Sequence, residues 1–100
     1  MRLTPEQVTS AQHEIEQGQY AAQITDNPIW TRLRSEIDED IRKELLLSAI
    51  DDHQKLVNIK LFAQAMAAME AKIRHLVNSG KLAGESLRLH YEAEQSAGDR

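Results

Sequence analysis

The feature that most constrains this chain is a heptad repeat of apolar side chains in its second half. These residues recur at alternating steps of three and four, the spacing that keeps one stripe of a long helix facing a partner helix. The six residues of this predicted seam are Ile59, Phe62, Met66, Met69, Ile73 and Leu76. Such a repeat carries no chemistry by itself, so it indicates a helical interaction domain.

The composition favours a helical core over a sheet. One hundred residues make one domain, and the four aromatic residues are few beside the leucines, isoleucines and alanines. The chain contains no cysteine, which excludes disulfides, thiolate nucleophiles and cysteine-ligated zinc. We therefore predict an all-α fold: a long antiparallel helical hairpin with coiled-coil-like packing, plus a shorter N-terminal helix.

The first helix is predicted to cover residues 5–24. Thr4 precedes Pro5, and Gln7 follows three residues later, which is the pattern of a capping box with proline at the first helical position. The apolar face of this helix is narrow and poor in large side chains. We expect it to be the least stable helix, and Gly18 is the position at which it would break.

The second helix is predicted to cover residues 28–47, with Asn27 as its cap. Its apolar side chains recur at steps of four, at Ile29, Leu33, Ile37, Ile41 and Leu45. The acidic run from Glu36 to Asp40 on the other side alternates with arginines and lysines one turn away. This pattern is typical of a solvated face, and a cation site built from these carboxylates is the weaker alternative.

The third helix is predicted to cover residues 52–79. Asp51 or Asp52 caps it, and Gly80 provides a left-handed stop at its C-terminal end. Folded back on the second helix, it forms the antiparallel hairpin. A row of alanines beside the seam, at positions 63, 67 and 71, would let another helix approach closely.

The rest of the chain is predicted to be a short docked segment and a tail. Residues 85–91 permit only a short helix or a strand-like segment, and we expect residues 92–100 to be disordered. The single helical domain would then cover residues 1–91.

The net charge of −4 is unevenly distributed along the chain. Residues 1–52 carry a net −6, residues 53–84 a net +4 and residues 85–100 a net −2. An acidic helix paired with a basic one explains this pattern, and we favour that explanation because the whole chain is acidic. The alternative is a basic surface that contacts nucleic acid. Its residues would be Lys55, Lys60, Lys72, Arg74 and Lys81.

Enzyme motifs are not found in the sequence. It contains no glycine-rich phosphate loop, no G-x-S-x-G elbow, no H-E-x-x-H and no E-x-x-H pair. The histidines are scattered, and each is interpreted as a surface residue: His13, His53, His75 and His90. We predict that the chain is not an enzyme and uses no metal or cofactor.

Two side-chain types on the predicted helices suit an interface. Trp30, two residues after Pro28, is either an interface anchor or a cap over the end of the hairpin, with equal support. Met66 and Met69 would form an adaptable partner groove, although core filling is the favoured reading of both.

Two segments resemble small all-helical proteins encoded in the packaging and head-assembly gene clusters of tailed bacteriophages. These are DNPIW, which opens the second helix, and KIRHLVNSGKLAG near the end of the third. The similarity covers residues 20 to 85. It implies a structural, assembly or accessory role in virion production, with a partner surface in place of an active site.

Self-association is the expected way to cover the apolar stripe that one hairpin leaves open. The expected partners are a second copy and another phage or host protein, in the host cytoplasm or the virion. No stretch reaches the roughly 20 apolar residues of a membrane helix, and the N-terminus lacks the apolar core of a signal peptide. Two alternatives are a DNA-associated packaging component resembling a terminase small subunit, and a host inhibitor whose acidic residues 36–40 mimic nucleic-acid charge.

Overall fold

A computed structural model describes residues 2–98 of the chain, and three helices hold 87 of these 97 residues. Helix α1 covers Pro5–Thr25, α2 covers Pro28–Leu47 and α3 covers His53–Gly98. No strand occurs among the described residues. The predicted all-α fold class is confirmed.

The start of α1 is the predicted capping box. The backbone N–H of Gln7 donates to Oγ1 of Thr4 at 3.2 Å, and the backbone N–H of Thr4 donates to Oε1 of Gln7 at 2.8 Å. Two of the N–H groups that a helix start leaves without a helical partner are thereby satisfied.

The other two helix starts are also capped by side chains. The backbone N–H of Ile29 donates to Oδ1 of Asn27 at 2.9 Å, and Pro28 follows the cap directly. At the start of α3 the cap is Asp52, whose Oδ1 accepts from the backbone N–H of Lys55 at 3.2 Å. Local side-chain chemistry therefore fixes all three starts at the predicted places.

The expected end of the third helix is wrong. Helix α3 continues through Gly80 to Gly98, and no glycine among the described residues has a positive φ. Residues 92–98 are therefore helical, in contrast to the expected disorder, while residues 99 and 100 lie outside the described part of the chain. Ion pairs one turn apart support the extension: Arg88 binds Glu85 and also Glu92, at 2.6 Å.

Packing explains why Gly80 lies inside a helix. Residues 2–23 and 73–98 form one compact unit in which α1 runs antiparallel to the C-terminal part of α3. The two helices approach so closely at Gly18 that a Cβ built there would lie 2.9 Å from the Cα of Gly80. Helix α1 therefore continues through Gly18, where the lack of a side chain lets the backbone of α3 come close.

The buried core lies in this unit. It consists of Ala11, Ala83 and Leu87, with Leu3, Val8 and Ile15 packed against it. These side chains are mostly small, which suits the short distance between the helices. Helix α1 and the C-terminal part of α3 thus build the buried core together.

Residues 24–72 form the second compact unit, a hairpin of α2 and the N-terminal part of α3. Arg34 pairs with Glu70, and Lys55 pairs with Glu44 at 3.4 Å, so the two helices are antiparallel. No residue in the range 24–72 is buried. This hairpin is the predicted one, but it has no closed core of its own.

Candidate interaction surface

The predicted seam of α3 is split between two sides of the helix. Ile59, Met66 and Ile73 are half-buried. Phe62 and Met69 retain 51% and 40% of their accessible surface, and Leu76 also retains 40%. Every second residue of the predicted seam is therefore exposed to solvent.

The stripe of α3 that turns inward is offset from the predicted seam. In the hairpin it consists of Leu56, Ile59, Ala63, Met66 and Glu70, at steps of three and four. The sequence alone does not indicate this stripe, because Glu70 interrupts its apolar pattern. Glu70 lies on the stripe because Arg34 of the facing helix forms an ion pair with it.

The inward stripe of α2 is likewise offset from its predicted face. Half-buried residues on this helix are Trp30, Arg34, Ile37 and Ile41. Ile29 and Leu33 of the predicted face remain about half exposed. Trp30 thus lies on the inner side of the helix, and its role as an interface anchor stays a prediction.

Arg34 is the least exposed cation that joins α2 to α3. Its side chain is 18% exposed, and it binds both Glu70 and Asp38, the latter at 2.6 Å. The hydrogen bond to Glu70 is the largest cause that raises the pKa of Arg34 above its ordinary value. By contrast, Arg32 binds Glu36 at 3.0 Å in a predicted pair that lies in solvent.

Four large side chains define what we call the apolar face of the hairpin: Ile29, Leu33, Phe62 and Met69. The first two lie four residues apart on α2, and the other two lie seven apart on α3, so each pair shares one side of its helix. A groove of about 330 Å³ adjoins Phe62, with Ile41 and Ile59 among its lining residues. Together, these side chains and the groove leave apolar surface exposed on this hairpin.

The walls of this groove carry opposite charges. Asp40 and Glu44 line it from α2, and Lys55 lines it from α3. Only the pair between Glu44 and Lys55 is closed within the chain. The groove beside the apolar face therefore has two carboxylates on α2 and one lysine on α3.

The five predicted nucleic-acid contacts do not share one side of α3. Lys55 is paired with Glu44, whereas Lys60, Lys72, Arg74 and Lys81 are exposed. At 100° per residue, Lys72 and Arg74 lie on nearly opposite sides of the helix. A continuous basic stripe along α3 is thus not formed within one chain.

His90 differs from the expected surface histidine, because it is buried. Its Nδ1 accepts a hydrogen bond from the backbone N–H of Leu3 at 3.0 Å, and its Nε2 lies 3.3 Å from Oε1 of Glu94. The ring therefore holds the segment before α1 against α3. The other three histidines are exposed.

Residues 2–98 contain no cluster of three or more histidine, aspartate or glutamate side chains that could hold a metal ion. Within the same range no helix combines the length and the apolar character needed to cross a membrane.

Compared with protein families, with curated proteins and with solved structures, the chain matches none.

Proposed function

We propose that this chain is a non-enzymatic helical interaction protein that acts as a homo-oligomer, as an accessory protein in the virion assembly of a tailed bacteriophage. One observation carries the proposal: residues 24–72 form a hairpin without a single buried residue. Eleven of the sixteen exposed large apolar side chains belong to this range. A surface of this composition is typical of one that a protein partner covers.

The amount of accessible surface supports the same conclusion. A folded monomer of this mass is expected to expose about 5,800 Å². The chain exposes 7738 Å², so the excess is about 2,000 Å². A standard interface takes about 800 Å² from each partner, which the excess readily supplies.

The free energy of covering the apolar face can be compared with the cost of association. Covering the exposed half of a leucine-sized side chain contributes about 1 kcal/mol. The four side chains of the apolar face on each of two copies then contribute about 8 kcal/mol to a dimer, whereas association costs about 4–15 kcal/mol. The gain from this one face is therefore of the same size as the cost of association.

The phage role rests on the resemblance of DNPIW and KIRHLVNSGKLAG to head-assembly and packaging proteins. Within the chain, the scattered basic residues give less support to a DNA-associated role than the apolar hairpin gives to assembly.

Absolute mass by light scattering after gel filtration tests the proposal, with the chain alone and with a short DNA duplex at low salt. We expect an oligomer whose mass DNA does not change. A monomer would overturn the proposal. An oligomer that takes up DNA in a salt-sensitive manner would instead support the packaging component.

A further inference from the structure

We infer that the apolar face of residues 24–72 binds a second copy of this chain, with α2 of one copy lying on α3 of the other. This inference rests on the proposed homo-oligomer and names the surface that forms it. The face consists of Ile29, Leu33, Phe62 and Met69, and all four side chains are between 40% and 58% exposed. The accessible surface area of the chain and the charged residues beside this face both favour a second copy as the partner.

The chain exposes more surface than a compact monomer of its mass. The excess over the whole chain is about 2,000 Å², and a stable dimer needs about 800 Å² from each partner. The apolar face is continuous with the groove beside Phe62, so a helix of the second copy would cover both. In a two-fold dimer each copy contributes the same face to the interface, so the assembly is closed at two copies.

The charged residues beside the apolar face indicate which helices pair between the two copies. Asp40 lies seven residues after Leu33, and Lys55 lies seven before Phe62, so each charge shares its helix side with part of the apolar face. With α2 on α3 of the second copy, the side of α2 that carries Asp40 and Glu44 meets the side of α3 that carries Lys55 at both contacts. With α2 on α2, carboxylates would instead face carboxylates.

Helix direction agrees with this arrangement. In one chain α2 is antiparallel to α3, as the pair between Arg34 and Glu70 shows. A two-fold axis parallel to the helices keeps equivalent residues level, so α2 also runs antiparallel to α3 of the second copy. It places Leu33 of one copy beside Met69 of the other. Four helices would then form a bundle in which every neighbouring pair is antiparallel.

The first test compares charge substitutions on two sides of α3. Phe62→Glu and Met69→Glu place a carboxylate on the apolar face, and we expect both variants to elute with the mass of a monomer. Leu61→Glu is the matched control, because Leu61 is also exposed, at 57%, but lies on the side of α3 away from α2. We expect this control to remain an oligomer.

The outcomes separate the inference from the proposed function. If the unchanged chain is a monomer, both fail. If it is an oligomer and the Phe62→Glu and Met69→Glu variants keep its mass, the proposed function stands but the apolar face is wrong. Far-UV circular dichroism identifies a variant that has lost its helices.

Disulfide crosslinking gives a second test that requires no buried charge. The chain has no cysteine, so Leu33→Cys and Met69→Cys variants each carry a single thiol. After mixing and oxidation, we expect the mixed disulfide between the two variants to form faster than either homodimeric disulfide. Faster homodimeric disulfides would overturn the arrangement of α2 on α3.

Discussion

The contact between α1 and α3 predicts an unusual result for glycine substitutions in helices. In a helix, alanine is ordinarily more favourable than glycine by about 1 kcal/mol. Gly84 should follow this rule, because a Cβ there has no atom within 4 Å. Gly18 should not, because a Cβ there lies 2.9 Å from both the Cα of Gly80 and the carbonyl oxygen of Leu76.

The magnitude follows from these distances. Both obstructing atoms belong to the backbone, so α1 and α3 must separate, and the packing around Ala11 and Leu87 loosens. Overpacking of this kind costs about 1–3 kcal/mol. After the helix-propensity gain is subtracted, Gly18→Ala should lower the free energy of unfolding by about 1 kcal/mol. Gly84→Ala should raise it by about 1 kcal/mol.

Urea unfolding followed by far-UV circular dichroism measures this difference. Both variants and the unchanged chain are compared at one protein concentration, because an oligomer's stability depends on it. The slopes must agree before the midpoints are compared. Equal stabilisation by Gly18→Ala and Gly84→Ala would refute the close packing of α1 on α3.

Three further predictions concern polar contacts. Arg34→Ala should lower the free energy of unfolding by about 1–3 kcal/mol, because it leaves a half-buried carboxylate unpaired. Arg32→Ala should lower it by at most about 0.5 kcal/mol, because its partner lies in solvent. Equal losses for the two variants in urea titrations would contradict this difference. His90→Leu removes the acceptor of the Leu3 N–H, so that amide should exchange faster with deuterium, and unchanged exchange would exclude the contact. Tyr20 donates to a glutamate one turn earlier; since this hydrogen bond favours the neutral phenol, the pKa of Tyr20 is raised. This hydrogen bond makes a small stabilising contribution below the ordinary tyrosine pKa. The contribution is lost as pH rises through the raised pKa of Tyr20. Replacing the glutamate by glutamine should lower the tyrosine pKa in an ultraviolet titration, and an unchanged value would argue against the bond.

The helix starts were predictable because their determinants are local. Thr4, Asn27 and Asp52 each cap a helix through an atom that binds a backbone N–H two or three residues away. Such contacts depend on neighbouring residues alone, so sequence analysis finds them.

The extent of α3 was not predictable in the same way. Gly80 has the residue type of a helix stop, and only its contact with Gly18, 62 positions earlier, shows that it serves close packing. Likewise, Glu70 belongs to the inward stripe only because Arg34 faces it. In both cases a tertiary contact overrides a local preference.

The predicted seam combined residues from two sides of α3. Phe62 and Met69 repeat at the same helical spacing as Ile59 and Met66, but one pair faces outward and the other is half-buried. Periodicity identifies such stripes without saying which one the chain itself covers.

The central claim is that a second copy covers the apolar surface of residues 24–72. Sedimentation equilibrium of the unchanged chain over a wide range of concentrations tests it most directly. We expect a mass of at least twice the 11.4 kDa of one chain, with dissociation only on dilution. A mass of 11.4 kDa at every concentration would contradict it.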